Sequence, residues 1–184
     1  MNSASQEGHE THAQLEEGTS DGRSGRLAGK TVILCVGNRY LGDDGIGIRV
    51  ADELNGRPLG ENVVVEAVQA IDLSLLSNYS EAPEVVVVDA LKDGVPPGTI
   101  SRFVVTPREC PINSLQGLHA LSLHDAFDIA KQTGLLTCPV TIFGVEPKDC
   151  ALGEGLSPEL ENGMPDLLAR VLDEIGVADN LHRG

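Results

Sequence analysis

Four short apolar runs constrain this chain more than anything else in it. They are TVILCVG (31–37), NVVVEAV (62–68), EVVVVDA (84–90) and CPVTIFGV (138–145), all rich in β-branched residues. Continuous rather than alternating apolarity marks strands covered on both faces, and such strands belong to parallel sheets. A fifth run, GTISRFVV (98–105), alternates more and follows the turn GVPPG, which predicts an antiparallel or edge strand.

Helical periods lie between the runs. In 44–54, Ile46, Val50 and Leu54 recur at spacing four. IDLSLLSNY (71–79) predicts a short helix capped by Asp72. In 119–131, Ala120, Leu123, Phe127 and Ala130 make an apolar stripe. The last helix, 157–176, begins with Ser157 as cap and Pro158 at its first position. Gly163 and Pro165 predict a break there, with the regular helix starting near Pro165. Strands alternating with helices give an α/β three-layer sandwich: a mostly parallel, twisted sheet of about five strands with helices on both faces.

Residues 1–29 are polar, without period, and nearly without large apolar side chains, which predicts a disordered tail. One domain is expected over 30–178 and a flexible C-terminus over 179–184. Aromatics are 3% of the chain and Trp is absent, so the core must come from Val, Leu, Ile and Ala. The net charge of −15 argues against a nucleic-acid partner, because phosphate binding needs clustered Lys and Arg. No stretch approaches the ~20 apolar residues of a membrane span. Nor does the N-terminus show the basic-then-apolar order of a signal peptide. The four cysteines, Cys35, Cys110, Cys138 and Cys150, have no metal-ligand or disulfide-framework spacing. These features together predict a reducing, cytoplasmic setting. The pair His9 and His12 lies in the tail without the HExxH context of a zinc protease and reads as incidental.

Ligands of open α/β sheets bind beyond the carboxyl ends of the strands. Three places meet that condition. Asp43 and Asp44 follow the first strand, Asp89 ends the third, and His119 opens a helix after the loop 106–118. One acid of the 43–44 pair suffices to cap the helix near Gly45, so Asp43 reads as a cap or structural residue and Asp44 as functional. Asp89 follows four valines, where a carboxylate is poorly solvated unless partnered, so its position favours a functional role over that of a cap or turn residue. His119, taken alone, reads as a half-buried ring on the face of Leu123 and Phe127. If the three converge, two carboxylates and an imidazole suit a first-row divalent cation. The glycines at 37, 42, 45 and 47 do not make GxGxxG, and the acids would repel a pyrophosphate.

These residues resemble the maturation endopeptidases of [NiFe]-hydrogenases. The signature G-N-x-x-x-x-D-[DE]-x-x-G stands here from Gly37-Asn38 through Asp43-Asp44 to Gly47. Asp89-Ala90 followed by Pro97-Gly98-Thr99, His119 with Asp125 as H-x-x-x-x-x-D, and GVEP (144–147) with GLSP (155–158) complete the likeness, which covers Thr31 to Glu174. Where family members often have a Gly-Gly-Thr turn after the second strand, this chain has Val68-Gln69-Ala70.

The resemblance implies a peptidase that clips a C-terminal extension from the nickel-loaded precursor of a hydrogenase large subunit. It implies that Asp44, Asp89 and His119 bind nickel carried by that substrate and form the catalytic centre, with no tightly bound cofactor of the chain's own. A nickel-sensing chaperone that does not cut would keep the same three ligands. A peptidyl-tRNA hydrolase would need a basic face and a histidine where Asp44 stands.

Overall fold

A computed structural model describes residues 27–105 and 123–177. Its five strands are β1 (Thr31–Val36), β2 (Val63–Val68), β3 (Val85–Ala90), β4 (Ile100–Val104) and β5 (Val140–Val145). They lie in the order β2-β1-β3-β5-β4. The first four positions in that order are parallel neighbours, and only β4 runs antiparallel, against β5 at the sheet's edge. This is the expected fold, and the alternating run is the edge strand. Phe103 and Val104 of β4 stay exposed, as one uncovered edge permits.

Side chains of β1 alternate between two apolar layers. Val32, Leu34 and Val36 join Leu76 and Tyr79 of the α2 region and Phe127 of α3. Ile33 and Cys35 face the other way, toward Ile46, Val50 and Leu54 of α1 and Leu167 of α4. The helices are α1 (Ile46–Asn55), α2 (Leu73–Ser77), α3 (Leu123–Gln132) and α4 (Pro158–Glu174). The sheet is therefore sandwiched, with α1 and α4 on one face and α2 and α3 on the other. Asp72 caps α2 as its sequence predicts, accepting from the Leu75 amide at 2.8 Å. Tyr79, wholly buried, keeps its hydroxyl satisfied by donating to Glu66 of β2 at 2.7 Å.

Two expectations need correction. The helix α4 does not break at Gly163 and Pro165; it runs unbroken from Pro158 with Pro165 inside it. Leu160 and Met164, before the proline, are buried on the same face as Leu167, Leu168 and Val171. Burying two such side chains contributes about 1.5–3 kcal/mol each, which offsets the ~3 kcal/mol cost of an interior proline. The packed domain also starts earlier than residue 30. Leu27 is buried in the core and the Lys30 amide donates to its carbonyl at 3.0 Å. The rest of the expected tail, 1–26, and the C-terminal residues 178–184 lie outside the described residues, and so do His9 and His12.

Candidate functional site

The chain leaves β1 toward β2 on one side and later places β3 on β1's other side. Between the carboxyl ends of β1 and β3 the connections diverge, and the sheet opens a crevice at this switch point. Asp44 comes from the turn after β1, and Asp89 is the penultimate residue of β3.

The turn after β1 is built from close backbone approaches. Gly37 adopts φ +144°, and a Cβ there would lie 1.9 Å from the Asp44 carbonyl oxygen. A Cβ on Gly47 would lie 2.1 Å from the Val36 carbonyl oxygen, so glycine lets α1 press against the end of β1. Asn38 closes the turn by accepting from the Tyr40 amide at 3.0 Å. The Asn38 amide in turn donates to the Asp44 carboxylate at 2.9 Å and fixes its direction. A 3-10 turn, Gly42–Gly45, then leads into α1.

Asp43 is structural, as expected, but it caps no helix. Its side chain is 1% exposed and accepts four hydrogen bonds from a loop more than a hundred residues away. Those donors are the amides of Lys148 (2.7 Å), Asp149 (3.1 Å) and Ser157 (2.6 Å) and the Ser157 hydroxyl (2.9 Å). Burial pushes the carboxyl up, yet these bonds outweigh it and hold the pKa below the ordinary value. Ser157 sits at the start of α4 without making a side-chain cap bond there, because its hydroxyl is given to Asp43. The two loops are further laced by Gly42 N–H to Gly153 O and Gly153 N–H to Tyr40 O, each at 2.9 Å.

Asp89 is the perturbed acid. Its pKa is pushed up to about 7, first by burial and further by the charge of Asp44, against a hydrogen bond from the Ala90 amide at 2.8 Å. Asp44 thus stands close enough to Asp89 for its charge to be felt there, which favours the protonated form of Asp89. His119 lies outside the described residues, so its place relative to Asp44 and Asp89 is not described. Among the described residues, no three His, Cys, Asp or Glu side chains form a metal-holding group. Cys35 and Cys138 are buried free thiols. Cys150 is exposed near the turn, and burial followed by the charges of Asp44 and Asp43 pushes its thiol up, keeping it protonated.

One supporting residue was missed by reading the sequence. Glu146, 5% exposed, accepts from the amides of Asp93 (2.7 Å) and Gly94 (3.1 Å). It thereby holds the loop that leaves β3 just after Asp89. The available signal was an acid directly after the apolar β5 run, in GVEP. A cleft of about 290 Å³ adjoins the 3-10 turn, lined by Arg39, Arg49, Glu154, Leu156 and Glu161.

Fold and acids together define a class: a doubly wound α/β domain with paired carboxylates at its topological switch point. A family model described as "HycI: Hydrogenase maturation protease" matches residues 48–174. The chain belongs to the hydrogenase maturation protease family. It is 31% identical over 159 residues to the hydrogenase expression/formation protein HupM of Azotobacter chroococcum mcd 1, covering 79% of this chain and 73% of that one. It is 32% identical over 94 residues to the hydrogenase 3 maturation protease of Escherichia coli K12, covering 46% of this chain and 60% of that relative's length. The solved structure of the E. coli hydrogenase maturating endopeptidase HybD superposes with a TM-score of 0.66 at 25% identity, over 80% of this chain and 92% of that one. The hydrogenase 2 maturation peptidase of Thaumarchaeota archaeon SCGC_AB-539-E09 gives a TM-score of 0.61 at 26% identity, over 81% and 99%. No helix among the described residues is long and apolar enough to cross a membrane.

Proposed function

We propose that this chain is an endopeptidase of the cytoplasm that removes the C-terminal extension from the nickel-loaded precursor of a [NiFe]-hydrogenase large subunit. Asp44, Asp89 and His119 grip the nickel that the substrate carries. Family membership supports this, and one observation carries it: Asp89 is held at the switch point with its pKa near 7 by burial and by Asp44. A divalent cation is what such a pair takes best, because its charge relieves both the desolvation and the repulsion.

The residues then have distinct tasks. Asp44, aimed by the Asn38 amide, is a fixed ligand. A carboxylate at this mouth can accept a proton from water attacking the scissile carbonyl once the cation polarises that carbonyl. Holding the extension beside the ion supplies orientation in addition. Recognition through the cargo makes processing depend on a loaded metal centre. Val68-Gln69-Ala70, at the end of β2, bears on which precursor is accepted.

The test is the mass of a co-expressed large-subunit precursor. It drops by one C-terminal peptide with the wild-type chain and stays full length with Asp44→Ala, Asp89→Ala or His119→Ala, each variant keeping its circular dichroism spectrum. Unchanged processing by all three variants overturns the site. Tight binding of the loaded precursor without any loss of mass overturns the peptidase and leaves a chaperone.

A further inference from the structure

The described residues include five exposed large apolar side chains: Tyr40, Val95, Phe103, Val104 and Leu152. Scattered singly, such residues need no explanation. Tyr40 and Leu152 are not scattered. They stand on the two loops that the Gly153–Tyr40 and Gly42–Gly153 hydrogen bonds lace together. A β-bridge pairs Leu41 with Gly153 between them. Leu152 is 87% exposed and Tyr40 55%, in a chain with only two tyrosines, the other of which is wholly buried.

We propose that Tyr40 and Leu152 are the apolar anchors that dock the protein presenting its metal to Asp44, the large-subunit precursor of the function proposed above, on which this inference rests. Geometry selects that occupant. The Asp44 amide donates to the Leu41 carbonyl at 3.1 Å, so Tyr40 lies within one turn of the carboxylate that receives the ion. A macromolecule that brings a cation to Asp44 must cover this rim. Both anchors stand on backbone already fixed by Asp43 and the laced loops, so little ordering cost attends their burial. Tyrosine is among the side chains enriched where a few contacts carry most of a binding energy. Val104 offers an internal control. It is equally apolar and 51% exposed, but the antiparallel course of β4 places it at the opposite end of the sheet.

The experiment measures binding and cleavage of purified nickel-loaded precursor by the full chain carrying Tyr40→Ser, Leu152→Ser, both, or Val104→Ser. The expected result is a dissociation constant raised about tenfold by Tyr40→Ser and a few-fold by Leu152→Ser. Val104→Ser should bind and cleave as wild type. Wild-type affinity in the double variant overturns the proposal, and so does equal weakening by Val104→Ser. A wild-type chain that dimerises in sedimentation, with Leu152→Ser restoring the monomer and precursor affinity unaltered, also overturns it, since the rim then covers a second copy. Binding of the precursor without cleavage, weakened by the anchor variants, upholds the docking face while removing the peptidase; failure of the wild type to bind at all removes both.

Discussion

Replacing Asp43 by Asn keeps the shape of the side chain and removes its charge, which isolates what the carboxylate does. One oxygen accepts from the Lys148 and Asp149 amides and the Ser157 hydroxyl, and the other from the Ser157 amide at 2.6 Å. An asparagine can keep only one of these oxygens. In its better orientation the amide nitrogen faces the Ser157 N–H, leaving a buried donor against a donor at a cost of about 1–3 kcal/mol. The three remaining bonds lose charge assistance, worth roughly 0.5–1 kcal/mol each. The sum is about 2.5–6 kcal/mol, a large share of the ~5–15 kcal/mol that holds a domain together.

Acid should shrink this deficit. Asp43's folded pKa lies below the ordinary aspartate value of 3.8, so its contribution is present above that value and is lost as pH falls through the folded pKa. Urea unfolding of both proteins at about pH 7 and about pH 3 measures the gap at each. A gap under ~1 kcal/mol at the higher pH refutes the account of Asp43 as the tie between the loops. So does a gap that does not narrow at the lower pH.

Asp89 should titrate at about 7 by carbon-detected NMR, and Asp44→Asn should lower that value only in part, because burial is the larger cause. Between the ordinary aspartate value of 3.8 and about 7 the folded chain binds the extra proton, so this group's contribution to stability falls as pH rises through that window. Asp89→Asn should therefore unfold at a higher temperature than wild type at about pH 8, a difference that vanishes at about pH 4. Gly37→Ala should destabilise the fold by about 2 kcal/mol or more, since the added carbon meets the Asp44 carbonyl in a conformation alanine disfavours; a melting temperature within a degree of wild type would contradict it.

The strands were legible because burial on both faces writes itself as uninterrupted Val and Ile, and β4 was legible as the exception. Ile46, Val50 and Leu54 likewise announced α1. What local reading could not supply came from distance. Pro165 is a helix breaker by itself, and only the sheet beneath Leu160 and Met164 overrides it. Asp43 looked like a cap for the helix beside it because its four donors stand 105 to 114 residues downstream. Asp44 and Asp89 were readable as candidates from their places at strand ends, whereas their mutual influence is a property of the strand order. His119 lies outside the described residues, and Glu146 escaped notice because its partners, Asp93 and Gly94, are 53 and 52 positions earlier.

The clasp between Asp43 and Ser157 also sets the order of assembly. During synthesis β1, α1 and β3 can pair long before residue 157 emerges, and contacts of such sequence separation close last. Until they do, the turn bearing Asp44 keeps only its own local hydrogen bonds and lacks the backing of the later loop. The turn after β1 thus gains its full support only once the final helix has begun.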